Sequence, residues 1–473
     1  MKLFYSLVLQ LTLFASVNAL GQEAWTLEMC VEHALENNLT LKQSALNLEA
    51  TQSDLKQSKL NLLPSLNGNA GYSVNFGRGI DPQTNTFVTQ TLNAANFGLS
   101  GSMTLFSGMQ NINTIKQRQF QLLAGESSLQ KAKDDILLAV VNGFLQVLFT
   151  KELVSVNEKA LELSTQQLNR SKSLERAGSI TRGDVLEIEA QRAQEELNLT
   201  NAQNNYEIAR LTLIQLLDLN PNESFEISTP ELEVNETFTE YNPEEVVLRA
   251  MEINPMVKQA EYNFFAAKKG EQVARGGLSP RLTLSGGVNT GYSDGRVEAT
   301  SFTPASQQIG YVQDGNQTPV FQDFFIPSFE TIPLKDQIPN NLGQNIGVSL
   351  FIPIFNKYQT RKQITRAKVN AKVAELNKEI TQDNLEKTIN QLIADRRAAR
   401  KNYTATMNSF SSLEEAFKYN EEKFKVGLIN SVDYNISKTN LARAQSQLLQ
   451  AKYDLIFKTK ILDYYMGQPI TID

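Results

Sequence analysis

Four segments of the chain alternate apolar with small polar residues. Ala70, Tyr72, Val74 and Phe76 alternate with Asn69, Gly71, Ser73 and Asn75, and Phe97, Leu99, Met103 and Leu105 with Gly98, Ser100, Ser102 and Thr104. Further on, Leu282, Leu284, Val288 and Tyr292 alternate with Thr283, Ser285, Asn289 and Ser293, and Ile346, Val348, Leu350 and Ile352 with Asn345, Gly347 and Ser349. Period two with one apolar face is a half-buried strand. The pattern predicts strands over residues 66–80, 92–106, 281–293 and 342–354. The polar faces carry Asn, Ser, Thr and Gly, as a water-filled lumen would, and each run reaches the roughly 9–11 residues that cross a bilayer.

A second pattern has helical spacing. Val140, Val147, Val154, Leu161 and Leu168 fall every seven residues, as do Leu441, Leu448, Leu455 and Leu462. Each set places one apolar seam along a helix. The pattern predicts long helices over 108–176 and 357–425, followed by helices over 181–218 and 431–466. About 65 helical residues at about 1.5 Å each make a rod of about 100 Å. Gly178 breaks the first rod in Arg176-Ala177-Gly178-Ser179-Ile180, and Gly427 breaks the second in Lys425-Val426-Gly427-Leu428-Ile429. Phe106 precedes Gly178, and Phe355 precedes Gly427, by the same 72 residues, and Asp184 and Asp433 each lie six residues past their glycine.

The chain is therefore an internal duplication: a first repeat over 20–219, an acidic linker over 220–242 and a second repeat over 243–473. Each repeat opens with a helical stretch, the first over 25–63. Ala34-Leu35-Glu36-Asn37-Asn38 aligns with Ala250-Met251-Glu252-Ile253-Asn254, and Pro64 with Pro280, where helix gives way to strand. The offset between repeats grows from 216 before the strands to 249 after them, so 33 extra residues fall within 294–340. That stretch lacks periodicity and reads as a long loop at the outer mouth, against a short counterpart at 78–95.

Four strands cannot close a barrel, for which about eight is the minimum, and open edges in lipid leave backbone groups unpaired. Strands that span a membrane here must share one barrel among several chains, eight strands in a dimer or twelve in a trimer. The alternative is a secreted coiled-coil scaffold with soluble hairpins packed on its helices. With no run of eighteen apolar residues past the amino terminus, transmembrane helices are excluded.

Residues 1–19 read as a secretory signal: Lys2 supplies the charge, residues 3–17 the apolar core, and Val17-Asn18-Ala19 the cleavage site. The net charge of −6 argues against nucleic-acid binding. Cys30 is the only cysteine and His33 the only histidine, so neither a metal site nor a Ser/His/Asp arrangement is expected, and no cofactor or enzymatic activity is implied. Gly286, Gly287 and Gly291 lack the strand–turn–helix context of a dinucleotide fingerprint. The charge runs at 394–401 and 421–425 read as solvated helix faces.

Helix, strand pair, very long helix, glycine turn and helix, all duplicated, resembles the TolC family of outer-membrane efflux proteins over essentially the whole mature chain. The marks are the two glycine-turn-aspartate tips and the strand exits Leu105-Phe106-Ser107-Gly108 and Pro353-Ile354-Phe355-Asn356. The resemblance implies an α+β membrane protein. It further implies that three copies form a twelve-stranded outer-membrane barrel, surrounded by outer-membrane lipid and continued by a helical periplasmic tube. On the same resemblance the tips at Gly178, Ser179, Val426, Gly427 and Leu428 would dock a periplasmic adaptor of an inner-membrane pump. The cargo it implies is small molecules such as drugs or metals, or alternatively a protein in type I secretion. Three copies of Asp433 would ring the narrow end and favour cations, and Asp184 resembles the acceptor of links that hold the tip closed. The family's linking tyrosine and arginine are replaced by Phe424 and Ile429, and Ile436 stands where a second acidic ring is expected. The gate is then expected to be apolar and to close by dewetting. The plain alternative for Asp184 and Asp433 is a helix N-terminal cap.

Overall fold

The structure is a computed structural model and describes residues 24–80, 87–221, 225–230, 240–312, 315, 317–468 and 470. The signal at 1–19 and linker residues 231–239 lie outside them. In the first repeat the order is α1 (Leu27–Asn37), α2 (Leu39–Leu60), β1 (Ser65–Ile80), β2 (Phe87–Phe106), α3 (Gln110–Arg176) and α4 (Arg182–Leu216). The second repeat contains α5 (Pro243–Ile253), α6 (Pro255–Gly276), β3 (Arg281–Ser293), β4 (Val297–Val312), β5 (Thr318–Thr331), α7 (Leu334–Asn340), β6 (Gly343–Phe351), α8 (Gln359–Lys425) and α9 (Ser431–Tyr465). The chain divides into a helical unit (Met1–Gln52, Phe120–Phe265, Lys372–Asp473) and a strand unit (Ser53–Gln119, Ala266–Ala371).

In the helical unit the apolar stripe of α3 is the main core. Val140, Val141, Phe144, Leu145, Val147 and Leu148 are buried with Leu213, Ile214 and Leu217. Of the two heptad sets, Val140, Val147, Leu168, Leu455 and Leu462 are buried and the rest half-buried. By length and composition α3 does include one stretch apolar enough to cross a membrane, which counting unbroken apolar runs passes over. Its buried side chains pack on other helices, as those of a core helix do.

The helical stretch expected over 25–63 is two helices. At Asn38 the backbone N–H donates to Ala34 O (3.0 Å) and closes α1, while the side-chain Oδ1 accepts from Thr40 N–H (2.9 Å) and opens α2. Asn254 repeats the arrangement with Ala250 O (2.9 Å) and Met256 N–H (2.9 Å). One Asn thus serves as C-cap and N-cap at once. The duplication extends to backbone conformation. Positive φ occurs at Gly108 and Lys357, at Met109 and Tyr358, at Gly178 and Gly427, and at Asp218 and Gly467. Each pair is separated by the same 249 residues.

In the strand unit the sheet order is β1-β2-β3-β6, all antiparallel. The register places Leu66, Ala70 and Tyr72 on one face with Phe97, Leu99, Met103, Leu284, Val288, Ile346 and Val348. The opposite face carries Asn67, Asn69, Ser73, Ser100, Ser102, Ser285, Asn289, Asn345 and Ser349. Leu66, Phe97, Leu99, Ile346 and Val348 are exposed, so none of the described residues covers the apolar face. A contiguous apolar face of this size marks a membrane or protein contact.

The long loop expected within 294–340 is instead a β-ribbon followed by a short helix. β4 and β5 pair over their whole lengths as a separate two-stranded sheet. Period two is masked there by β-bulges at Ala299/Ser301 and Gln308/Gly310 and by Pro304, Pro319 and Pro327. Proline is tolerated because each strand of a two-stranded ribbon is an edge strand. The helix α7 then covers the outer end of β3, past the point where β6 stops. Gln337, 1% exposed, accepts from Ser293 N–H (2.9 Å) and donates to Ser293 O (2.8 Å) and Ile332 O (2.7 Å). Asn341 donates to Gly291 O (2.5 Å). A side-chain ladder thereby replaces the missing strand.

Candidate functional site: the paired helix tips

The tips where α3 turns into α4 and α8 into α9 are built alike. Ser179 N–H bonds Leu174 O (2.9 Å) and Gly178 N–H bonds Glu175 O (2.8 Å); Leu428 N–H bonds Lys423 O (2.8 Å) and Gly427 N–H bonds Phe424 O (3.1 Å). These are the crossed 6→1 and 5→2 bonds of a Schellman end. They require a left-handed residue, and Gly178 (φ +75) and Gly427 (φ +76) supply it. No atom lies within 4 Å of a Cβ built at either glycine, so the backbone, not space, demands glycine.

Each following helix is capped at once. Thr181 Oγ1 accepts from Asp184 N–H (3.2 Å), and the Asp184 carboxylate accepts from Thr181 N–H and Oγ1 (2.8 Å each), a reciprocal capping box. Those bonds, the hydroxyl's first and the backbone's second, hold the Asp184 carboxyl below the usual carboxylate range. Asn430 takes the cap position of α9, accepting from Asp433 N–H (2.8 Å), and the Asp433 side chain is exposed. Both aspartates therefore sit at N3, not at the cap. The spacing Thr181-x-x-Asp184 was a legible signal for this.

The other residues of the two tips separate into two groups. Val426 and Leu428 are 70% and 74% exposed, and with Val432 and Ile436 they leave an apolar surface at the second tip. Phe424 instead faces Tyr434, which also packs on Phe417. Ile429 is half-buried, and Ser179 is exposed. The first tip is held by Leu168, Val185 and Ile188, with Ile180 against them.

Hydrogen bonds also join the two hairpins. Arg170 Nη2 donates to Lys425 O (3.3 Å). Deeper, Lys438 of α9, 5% exposed, donates to Ala160 O (2.9 Å) and to Ser164 Oγ on α3. Burial pushes the Lys438 ammonium down to about 8, with Glu195 of α4 opposing the shift. Glu195 is itself buried, accepting from Gln191 (2.6 Å) and Asn198 (3.3 Å). In the sequence Lys438 has no mark beyond interrupting the stripe from Tyr434 to Leu441. Among the described residues no His/Cys/Asp/Glu group could hold a metal. Cys30 is fully buried, and its thiol is pushed up to about 12 by that burial and by Glu28.

An uncovered apolar strand face marks a surface that meets lipid or another protein, and comparison with known proteins gives the family. The family described as "Outer membrane efflux protein" matches residues 30–218 and 339–468. Outer membrane efflux protein BepC of Brucella suis biovar 1 is 23% identical over 431 residues, 91% of this chain and 83% of that protein. Outer membrane protein TolC of Salmonella enteritidis is 21% identical over 446 residues, 94% of this chain and 82% of that protein. The crystal structure of CusC superposes with a TM-score of 0.74 at 16% identity, covering 95% of this chain and 96% of that one. The chain belongs to the outer membrane efflux protein family, the TolC family, and resides in the outer membrane with its helical part in the periplasm.

Proposed function

We propose that three copies close one twelve-stranded barrel and act as the passive outer-membrane conduit of a tripartite pump. The observation that carries this reading is the four-stranded sheet with two open edges, β1 and β6, and an uncovered apolar face. Backbone groups on those edges would go unpaired in lipid, and pairing β6 of one copy with β1 of the next satisfies those along the shared seam. The apolar face then meets lipid and the Asn/Ser/Gly face lines water.

In this reading the helical hairpins of the three copies form the periplasmic tube, and its tips receive a periplasmic adaptor. Val426 and Leu428 at the second tip, with Gly178 and Ser179 at the first, form the docking turns. Asp433 supplies a carboxylate ring at the narrow end, and Ile429, Val432 and Ile436 the apolar constriction. Asp184 serves its own helix cap. Energy comes from the inner-membrane pump, and the cargo is small toxic molecules. The test is reconstitution. The purified chain should require detergent and give single-channel conductance in a planar bilayer. A water-soluble particle with no conductance would overturn the proposal.

A further inference from the structure

The β4–β5 ribbon stands apart from the four-stranded sheet, and one of its faces exposes a row of phenylalanines. Its register brings Phe302 opposite Pro327, Pro304 opposite Phe325 and Gln308 opposite Phe321. Phe302, Phe321 and Phe325 are each more than half exposed. The other face is mixed: it pairs Glu298 with Glu330, Ser301 with Ser328 and Gln307 with Gln322, and also carries Phe324 and Ile326. The aromatic face also holds Ser306 bonded to Asp323. A two-stranded ribbon with this much exposed apolar surface is marginal alone in water, and its three phenylalanines call for a cover.

Lipid is a poor candidate. The apolar band of an outer-membrane barrel is about 25 Å tall and takes about 9–11 residues per strand. β3 already supplies 13 residues before the ribbon begins. The ribbon's root is pinned there, where Asp294 accepts from Asn93 N–H (2.9 Å) and Asn93 Nδ2 (2.6 Å). At about 3.3 Å per residue, β4 extends roughly 50 Å from that root, outside the hydrocarbon.

A second copy is the better cover. β1 has 16 residues and β6 only 9, so the β1 edge outruns any seam between them. Past Ser73, where β3 ends, β1 and β2 continue as a second ribbon with Val74, Phe76, Ile80 and Phe87 exposed on one face, and Arg78 on that face lies over the Phe87 ring (4.9 Å). In a ring ordered β1-β2-β3-β6, the next strand after β6 is the neighbour's β1. We infer that the aromatic face of β4–β5 packs against the β1–β2 extension of the neighbouring copy, forming an extracellular collar that locks the oligomer. This rests on the trimer proposed above.

The test co-expresses two differently tagged versions of the full chain. One carries Cys at Val74, Phe76 or Ile80, and the other carries Cys at Phe302, Phe321 or Phe325. Cys30 stays in place because it is buried. A disulfide can then form only between copies. The expected result is a covalent dimer bearing both tags for at least one pairing in mildly oxidised outer membranes. The collar is overturned if light scattering gives three chains per particle but no pairing yields the dimer, while Phe325→Cys reacts freely with an impermeant maleimide on cells. In that case the ribbon faces water or a different partner. A single chain per particle overturns the collar and the trimer together.

Discussion

Phe424 stacks on Tyr434 with ring centroids 4.6 Å apart and planes 20° from parallel. Tyr434 is buried, so the pair fastens the end of α8 to the start of α9. A stacked pair adds about 0.5–1.5 kcal/mol beyond its area. Phe424→Ala should therefore accelerate amide hydrogen exchange across residues 417–440 and leave the strands unchanged. Phe424→Tyr, which keeps the ring, should exchange as the parent does. Equal exchange in the Ala variant would remove Phe424 from the tip's framework.

Gly427 separates backbone strain from docking. Ala there meets no neighbour but must adopt φ +76, which costs about 1–2 kcal/mol. Gly427→Ala should loosen the tip modestly in hydrogen exchange and still support export. Gly427→Arg should abolish cross-linking to the adaptor and export while the barrel persists in the outer membrane. Loss of the folded barrel in the Arg variant would show that the turn is needed for folding instead.

The two tip aspartates should behave differently. Asp433 is exposed while Asp184 is held by Thr181. Asp433→Ala should lower the cation-over-anion preference in planar-bilayer recordings, and Asp184→Asn should leave it nearly unchanged while fraying the first turn of α4. The Asp184 carboxyl titrates lower folded than unfolded. Its stabilisation is therefore present above the unfolded value and fades as pH falls through the folded one. Parent and Asp184→Asn should converge in acid. Unchanged selectivity in Asp433→Ala would retire the carboxylate ring.

Lys438 gives a pH signature at the opposite end of the scale. Burial lowers it from 10.5 to about 8, so between those values the unfolded chain holds a proton that the folded chain has released. Stability of the helical unit should rise with pH across that window. Lys438→Met removes the titrating group and should flatten the rise in thermal midpoint between pH 8 and 10. A rise of equal size in the Met variant would assign it to other groups.

The sequence was most readable where one residue type is forced by backbone geometry or by period. Gly178 and Gly427 sit at left-handed helix ends that little else can adopt, and α3 and α8 end one residue before each turn begins, at Arg176 and Lys425. β3 begins and ends where alternation placed it. Legibility failed where tertiary context overrode the pattern. The ribbon at 297–331 hides its period behind bulges and prolines. β2 starts at Phe87, before its alternation is clean, because β1 pairs with it as far as Ile80. Asn38 and Asn254 divide helices that looked continuous, since a single side chain can end one and begin the next. Lys438 looked like any surface lysine until α3 supplied Ala160 O and Ser164.

If the four-stranded sheet is one third of a closed wall, native mass spectrometry of the detergent-extracted protein should show one dominant species of three identical chains that persists until the strands unfold. A folded single-chain particle, stable without detergent, would contradict it.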